Sequence, residues 1–347
     1  MPKFDIRHFF RVAIITIAAI PMAMLSNAYA QSVNEKLTIA TSDNQDVHAS
    51  FGIIKQIDAG LLNIGYAEEG PNDGPVVILL HGWPYDIYSY VDVAPLLASK
   101  GYRVIIPYLR GFGTTRFLSD KTFRNGQQSV VAKDIIDLMD ALKIQKAIIG
   151  GFDWGSRTAA IIAALWPERC KALVLVSGYL ITNIKANQQP LAPKAELGWW
   201  YQYYFSTERG KQGYSENRYE FNKLIWKLAS PKWDFDDATY SRSALAFNNP
   251  DHVSIVIHNY RWRLGLADGE PQYESLEQRL FQGPVISVPT ITISSDFDGL
   301  AADGKSYEKK FSGKYSHKIL KDIGHNVPQE APKAFADAII EVDSYSK

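Results

Sequence analysis

The sequence predicts an α/β protein in which a mostly parallel central sheet carries helices on both faces and is interrupted by a helical insertion. Three observations lead to this fold class. Apolar runs of strand length recur along the chain, segments with helical spacing separate them, and one long aromatic-rich stretch lacks such runs. Because a strand buried on both faces shows no polar alternation, these runs indicate a parallel sheet covered by helices.

The first half of the chain supplies the early elements. Residues 53–67 alternate loosely between apolar and polar residues, with Gly60 inside the segment, which predicts an antiparallel hairpin. Continuous apolar runs then predict buried strands, and apolar residues at helical spacing predict the helices between them. The predicted strands are residues 76–80, 102–107, 146–150 and 171–176, and the predicted helices are residues 130–142 and 156–165. Strands alternating with helices predict right-handed βαβ units.

The strand–helix alternation stops near Leu180 and resumes near Pro289. Residues 180–282 carry many tryptophans and tyrosines but no buried-strand run, so we predict a helical cap there. Strands are then expected at residues 289–293 and 317–320, and a final helix at residues 333–343. The predicted core is therefore residues 31–179 and 283–347, and a cap above the carboxyl ends of the strands would enclose the ligand crevice of an open α/β sheet.

The first thirty residues have the pattern of a secretory signal peptide. Lys3, Arg7 and Arg11 form a basic start, residues 12–25 are apolar, and Ala28-Tyr29-Ala30 offers small residues at a cleavage site. The alternative is an uncleaved anchor, but the apolar run is shorter than the ~20 residues that span a bilayer. The sequence therefore predicts residues 1–30 as a cleaved signal peptide, and a periplasmic or secreted protein without stable membrane insertion.

Composition excludes several classes of function. The 347 residues are 46% hydrophobic, and 37 Lys and Arg balance 37 Asp and Glu, so no bulk positive charge would attract nucleic acid. The single cysteine, Cys170, excludes an intrachain disulfide and any CxxC metal or redox motif. We expect no metal, no organic cofactor and no nucleic-acid partner, and the sequence leaves the oligomeric state open.

A glycine-rich turn lies between the predicted strand 146–150 and the following helix. It reads Gly150-Gly151-Phe152-Asp153-Trp154-Gly155, the small-x-nucleophile-x-small pattern of a nucleophile elbow. The turn is so tight that side chains at Gly151 and Gly155 would clash, and it raises the central residue above the sheet. A carboxylate there suits displacement at an sp³ carbon, with a covalent alkyl ester as product. The alternative role for Asp153 is a helix N-cap.

Two further motifs follow predicted strands, and with the elbow they resemble the alpha/beta-hydrolase superfamily. These motifs are His81-Gly82-Trp83-Pro84, similar to the superfamily's HGxP loop, and Arg110-Gly111-Phe112-Gly113-Thr114-Thr115, similar to its RGxGxS/T turn. The resemblance implies that the backbone N–H groups of Trp83 and Trp154 form an oxyanion hole. The arginine-glycine turn is interpreted as scaffold, because no GKS/T follows that would indicate a phosphate loop.

The resemblance also implies a base and an orienting acid. His325 lies in a GHxxxxE-like setting before the last helix, where the superfamily carries its catalytic histidine, and a neutral imidazole can deprotonate water. The acid should follow the penultimate strand, and Asp298 fits the family's spacing after a small residue, with Asp296 as the alternative. His252, His258 and His317 lack such a setting and are interpreted as surface or structural residues.

The predicted cap narrows the resemblance to epoxide hydrolases. Trp200-Tyr201-Gln202-Tyr203-Tyr204-Phe205 looks like their YQxYF stretch, and Asn259-Tyr260-Arg261-Trp262 looks like the context of their second cap tyrosine. In that family two cap tyrosines hydrogen-bond the epoxide oxygen, so the resemblance implies Tyr201 and Tyr260, although Tyr203 and Tyr204 compete with Tyr201. A phenol can donate its proton to the alkoxide that ring opening generates.

The resemblance therefore implies an epoxide hydrolase that turns a small apolar epoxide and water into a vicinal diol. Asp153 would form the ester, and water activated by His325 and Asp298 would hydrolyse it. A haloalkane dehalogenase with the same nucleophile is the first alternative, and a non-catalytic exported binding protein on a hydrolase scaffold is the second. An esterase or lipase is disfavoured because the elbow carries neither Ser nor Cys.

Overall fold

A computed structural model describes residues 50–345, and its framework is one nine-stranded sheet. The strand runs predicted from the sequence all form strands, within two residues at each end. The strands are β1 (Lys55–Ala59), β2 (Leu62–Glu69), β3 (Val76–Leu80), β4 (Arg103–Pro107), β5 (Arg116–Phe117), β6 (Ala147–Gly151), β7 (Cys170–Val176), β8 (Thr290–Ser294) and β9 (Tyr315–Ile319).

The sheet is parallel over most of its width. Its order is β1-β2-β4-β3-β6-β7-β8-β9, and β5 pairs with β2 outside this path. The pairings from β4 through β3, β6, β7 and β8 to β9 are all parallel, whereas β1, β4 and β5 each pair with β2 in the antiparallel sense. The prediction of a mostly parallel sheet with an early antiparallel hairpin is confirmed.

Helices cover the sheet and fill the chain between β7 and β8. They are α1 (Val93–Ala98), α2 (Gln128–Ala141), α3 (Trp154–Leu165), α4 (Ile184–Asn187), α5 (Pro193–Gly198), α6 (Trp200–Ser206), α7 (Glu208–Glu216), α8 (Arg218–Ala229), α9 (Asp237–Ala244), α10 (His252–Arg263), α11 (Glu274–Phe281), α12 (Val327–Glu330) and α13 (Pro332–Ser344). Short 3₁₀-helices lie at Ile87–Tyr90, Pro167–Arg169, Leu245–Asn248, Pro271–Tyr273, Asp296–Ala301 and Glu308–Lys310.

Helix packing explains why β6 contains no polar side chain. Helix α3 packs against α2 and against β3, β6 and β7, while α13 packs against α1 and β7. All five residues of β6 are buried. A strand that is buried over its whole length must be covered on both faces, so its sequence lacks the polar alternation of a one-sided strand.

The chain between β7 and β8 is helical. Helices α4 to α11 lie there, and none of the residues 177–289, all of which are described, belongs to a named strand. Many aromatic residues of this stretch pack on one another; Trp226, for example, stacks on Trp233 with ring centroids 5.3 Å apart. Aromatic rings bury large apolar areas, so they allow short helices to pack stably over the sheet.

The predicted signal peptide, residues 1–30, lies outside the described residues and stays a prediction. Within residues 50–345, no helix combines the length and apolarity that crossing a bilayer requires.

Gly155 lies where α3 approaches β3 most closely, and it generates a stability prediction. A β-carbon at Gly155 would overlap the backbone carbonyl of Leu80, which cannot rotate away. We expect Gly155→Ala to cost at least about 1–3 kcal/mol, the usual penalty for overpacking a core. Thermal unfolding followed by circular dichroism measures the loss.

Gly198 provides the matched control, because a β-carbon there would meet no atom within 4 Å. Gly198→Ala should shift the unfolding temperature by less than about 2–4 °C. A change of 1 kcal/mol in stability produces a shift of about that size in a protein somewhat smaller than this one. Equal unfolding temperatures for Gly155→Ala and Gly198→Ala would contradict the close approach of α3 to β3.

Candidate active site

The turn between β6 and α3 holds Asp153 in a strained backbone conformation. Its φ is 52° and its ψ is −123°, values that L-residues seldom adopt. The flanking glycines allow the turn to be this tight, since a β-carbon at Gly151 would overlap the backbone of Gly155. The geometry is that of the elbow expected from the sequence, with the Asp153 side chain directed away from the helix it precedes. Asp153 makes no side-chain capping bond to α3.

The loop after β3 brings a backbone donor to the Asp153 carboxylate. The amide of Trp83 donates to Oδ1 of Asp153 over 2.8 Å. The approach is close because residue 82 is glycine; a β-carbon there would overlap that of Asp153. The Trp83–Pro84 peptide bond is cis. Trp154, whose amide is the second expected donor, is the first residue of α3.

Three neighbouring groups keep Asp153 ionised. Desolvation alone would raise its pKa, but the hydrogen bond and charge of His325, the charge of Arg157 and the Trp83 amide together hold the pKa below its ordinary value. The Nε2 atom of His325 lies 3.4 Å from Oδ2 of Asp153. Asp153 is therefore a carboxylate at neutral pH, which is the form that can act as a nucleophile.

Arg157 is a site residue that the sequence reasoning missed. It lies one helical turn after Asp153 and is only 6% exposed, and its Nε donates to the carbonyl of Leu180 over 3.1 Å. The sequence did contain an indication of this role, since Arg157 lies inside the mostly apolar segment Trp154–Leu165. Arginine is almost never fully buried unless its charge is paired. Its charge stabilises the Asp153 carboxylate.

The His325 loop is organised by Glu330. The backbone amides of Gly324 and Asn326 donate to its carboxylate, over 2.7 and 3.0 Å. Ser230, at the end of α8, donates to the same carboxylate over 2.6 Å and accepts from the His325 amide over 2.9 Å. The glutamate of the GHxxxxE-like motif thus orders the loop, and a serine from the helical insertion, which the sequence reasoning missed, completes it.

The structure does not join Asp298 to His325. The carboxylate of Asp298 accepts from the Ser295 amide over 2.8 Å, closing a capping box at the start of the Asp296–Ala301 helix. Nδ1 of His325 is buried and, within the part of the chain that the structure describes, has no hydrogen-bond partner. The ring of Phe297 packs on the imidazole instead, with centroids 4.1 Å apart.

Asp296, the alternative acid, is engaged elsewhere. It is exposed and forms an ion pair with Lys232 over 2.8 Å, and it also accepts from the Asp322 amide. Neither carboxylate therefore reaches His325 in this arrangement. The pairing of Asp298 with His325 stays a prediction.

Tyr201 and Tyr260 lie together above Asp153. Their ring centroids are 5.4 Å apart, and the indole Nε1 of Trp154 lies 3.4 Å from the Tyr260 hydroxyl. Burial, and then the charge of Asp153, raises the pKa of Tyr201 above its ordinary value. Burial also raises the pKa of Tyr260, so both phenols keep their protons at neutral pH.

The competing tyrosines of the same helix point elsewhere. Tyr203 is 48% exposed, and its hydroxyl bonds the carboxylate of Glu196. The ring of Tyr204 stacks on Phe221 at 6.0 Å. Of the three candidates in α6, only Tyr201 neighbours Tyr260.

A cavity of about 530 Å³ opens above Asp153. Apart from Asp153, His325 and Lys194, its wall is built from aromatic, aliphatic and glycine residues; these are Trp83, Leu197, Gly198, Trp199, Trp200, Tyr201, Ile225, Leu228, Ala229 and Phe297. Tyr260 stands behind Tyr201 rather than on the wall. Such a cavity suits a mostly apolar molecule that reacts at a single polar end.

Solved structures and protein sequences resemble this chain over different shares of its length. A crystal structure from Klebsiella pneumoniae subsp. pneumoniae MGH 78578, whose protein is described provisionally as an epoxide hydrolase, is 58% identical to this chain; it superposes with a TM-score of 0.83 over 86% of this chain and 100% of that one. Epoxide hydrolase B of Mycobacterium tuberculosis is 31% identical over 40% of this chain. A haloalkane dehalogenase of Mycobacterium marinum is 35% identical over 39% of this chain.

The two mycobacterial matches span less than half of those proteins, 41% of the epoxide hydrolase and 44% of the dehalogenase. The family match is wider, since residues 75–328 fit the family described as the alpha/beta hydrolase fold. It includes the elbow, the loop after β3 and the His325 loop. The expectation of an alpha/beta-fold hydrolase is thereby confirmed, and this chain belongs to the alpha/beta hydrolase fold family.

Proposed function

We propose that this protein is an epoxide hydrolase that forms a vicinal diol through an alkyl ester on Asp153. One observation carries the proposal: a carboxylate, an imidazole and a tyrosine line one apolar cavity, and a second tyrosine packs against the first. The carboxylate can attack carbon, the imidazole can activate water and the phenols can donate protons. The epoxide hydrolases among the relatives support the same reading.

The first step opens the ring. An oxygen of the Asp153 carboxylate attacks an epoxide carbon, the carbon–oxygen bond of the ring breaks, and a tyrosine proton moves to the released oxygen. Tyr201 lines the cavity and is the first donor, and Tyr260, whose ring packs against that of Tyr201, is the second. Both phenols are protonated at neutral pH, as a general acid must be.

The second step hydrolyses the ester. His325 takes a proton from water, and the resulting hydroxide attacks Cγ of Asp153. The carbonyl oxygen becomes an oxyanion, which the amides of Trp83 and Trp154 stabilise. Collapse of this intermediate breaks the bond between Cγ and the alkyl oxygen, which takes the proton from His325 as the diol leaves. The proton on the new carboxyl oxygen passes to the tyrosinate, so Asp153 is again a carboxylate and the tyrosine again a phenol. Asp298, after a rearrangement of its loop, would accept from the unpaired Nδ1 of His325.

A haloalkane dehalogenase is the second candidate, because such enzymes occur among the relatives. Halide ions need N–H donors beside the nucleophile. The indole of Trp83 already donates to Tyr214 over 2.8 Å, and that of Trp154 lies 3.4 Å from the Tyr260 hydroxyl. The tyrosine pair therefore favours an epoxide, and assays of diol formation and halide release on one preparation separate the two candidates.

We also propose that the protein is exported, after cleavage near Ala30. The support is the signal-peptide pattern of residues 1–30. A small apolar epoxide and water are the expected reactants, and the proposed chemistry needs no cofactor.

The two steps respond differently to loss of Asp153 and His325. Asp153→Ala should lower diol formation by at least about 10⁴-fold, because it removes the nucleophile. His325→Gln should form the ester but fail to hydrolyse it, so intact-mass spectrometry should find protein heavier by the mass of one epoxide. Retention of a tenth of wild-type turnover by Asp153→Ala, or an adduct on that variant, would contradict the proposal.

The tyrosine pair is tested by the rate of ester formation. In a His325→Gln background, the double change Tyr201→Phe and Tyr260→Phe should slow alkylation about 10²–10⁴-fold, the usual contribution of general acid catalysis. Tyr203→Phe is the matched control, since that hydroxyl faces Glu196. Alkylation equally fast in the double variant and the control would exclude the tyrosines as acids.

The acid is tested by comparing two neighbouring carboxylates. Asp298→Asn should slow ester hydrolysis at least about tenfold, because the imidazolium formed at His325 loses its counter-charge. Asp296→Asn should leave the rate unchanged, since Asp296 pairs with Lys232 on the surface. Single-turnover decay of the ester, followed by mass spectrometry, measures both rates. The opposite ranking would assign the acid to Asp296.

A further inference from the structure

The loop that carries the predicted oxyanion amide is anchored at three successive residues. The carbonyl of Gly82 accepts from Nδ1 of His81 over 3.0 Å, and the carbonyl of Pro84 accepts from the Trp226 indole over 2.7 Å. Between them, the indole Nε1 of Trp83 donates to the Tyr214 hydroxyl over 2.8 Å. Trp83 is thus held by its side chain while its backbone amide donates to Asp153.

The bond from Trp83 is the first link of a buried chain. The Tyr214 hydroxyl lies 2.8 Å from Nε2 of His252, and Nδ1 of His252 lies 2.9 Å from the carbonyl of Gly111. A carbonyl can only accept, so Nδ1 of His252 carries the proton and Nε2 accepts from Tyr214. The tyrosine oxygen then accepts from the indole. The three hydrogen bonds therefore all run in the same direction, from the Trp83 indole to the Gly111 carbonyl, and each donor along this chain has an acceptor.

Burial keeps the chain in this protonation state. Trp83 is 2% exposed, and Tyr214 and His252 are fully buried. Desolvation lowers the pKa of His252 to about 3, so the imidazole is neutral at neutral pH. The Phe112 ring lies edge-on between His81 and His252, with centroids 4.8 and 4.7 Å away. The turn at residues 110–113 therefore supports the oxyanion loop through both histidines.

The two middle links of this hydrogen-bond chain come from the helical insertion. Tyr214 lies in α7 and His252 begins α10, whereas Trp83 and Gly111 follow β3 and β4. The indole has no other hydrogen-bond acceptor among the described residues. Loss of the Tyr214 hydroxyl would leave an unpaired buried N–H and an unpaired imidazole nitrogen, a state that the loop can relieve only by moving.

We propose that Tyr214 and His252 are positioning residues that hold the Trp83 amide on the oxyanion of ester hydrolysis. The proposal rests on the function proposed above. It predicts an effect on one step only. In alkylation the Asp153 carboxylate loses negative charge, so an amide that donates to it gives the transition state no added stabilisation. In hydrolysis negative charge develops on the oxygen that faces the amide, and misplacing the amide raises the barrier.

The test is the amount of ester present during turnover. Tyr214→Phe should slow ester hydrolysis about tenfold or more, a part of the 10²–10³-fold effect of losing a whole oxyanion donor, while alkylation stays within about twofold of wild type. Rapid quenching and intact-mass spectrometry should then find the variant mostly esterified. Unfolded protein carries no ester and lowers both rates equally, so the partition between the two steps is unaffected by a loss of stability.

Tyr240→Phe is the matched control. Tyr240 is also fully buried in the insertion, and its hydroxyl donates to the carbonyl of Tyr219 rather than to the oxyanion loop. This variant should partition like wild type. Equal ester levels in Tyr214→Phe, Tyr240→Phe and wild type would overturn the proposal.

A double variant tests the route through Trp83. In a Trp83→Phe background the indole N–H is absent, so adding Tyr214→Phe should change hydrolysis by less than about twofold. A full additional effect would show that Tyr214 acts by another route and would also overturn the proposal. His325→Gln distinguishes failure of the proposed function from failure of the positioning role. If His325→Gln forms no ester, the proposed function fails. If His325→Gln forms the ester but Tyr214→Phe has the wild-type ratio of alkylation to hydrolysis, only the positioning role is refuted.

Discussion

The hydrogen bond between the Trp83 amide and the Asp153 carboxylate is the contact on which the candidate active site depends. It requires two loops, each following a strand in the middle of the sheet, to approach within 2.8 Å. Glycine at position 82 permits the approach, and the glycines at 151 and 155 permit the bend that raises Asp153. Strain at one residue is thus maintained by close packing around it, which is how folded proteins retain unfavourable backbone angles.

The helical insertion belongs to the site as much as the sheet does. It supplies Tyr201 and Tyr260 above the carboxylate, Ser230 to the His325 loop and Tyr214 to the oxyanion loop. Burial among its aromatic residues raises the pKa of both tyrosines, and burial alone would also raise that of Asp153. Because the hydrogen bond from His325 and the charge of Arg157 outweigh this effect at Asp153, one desolvated site holds a carboxylate and neutral phenols together.

Most of the fold could be predicted from local sequence patterns, whereas the site contacts that were not predicted join residues far apart in the sequence. The strand around Val76–Leu80 and the elbow at Asp153 are encoded within a few residues, so their periodicity and glycines suffice to predict them. The partner of the Trp83 indole lies 131 positions away, and no local spacing indicates it. His252 was interpreted as a surface or structural residue. Its role as a neutral hydrogen-bonding imidazole could not be predicted from the sequence, because that role depends on burial in the folded protein. The spacing that selected Asp298 describes a loop position, whereas in the structure its carboxylate accepts from the Ser295 amide and the Phe297 ring packs on His325.

The covalent role of Asp153 is the central claim, and a single turnover in H₂¹⁸O with enzyme in excess tests it most directly. Water that attacks Cγ of the ester leaves its oxygen on the enzyme, while the original carboxylate oxygen departs with the product. The account therefore predicts an unlabelled diol and one heavy oxygen in the Asp153 carboxyl, located by mass spectrometry of the peptide that contains it. A labelled diol with an unlabelled Asp153 would mean that water attacks the epoxide itself, and would contradict the account.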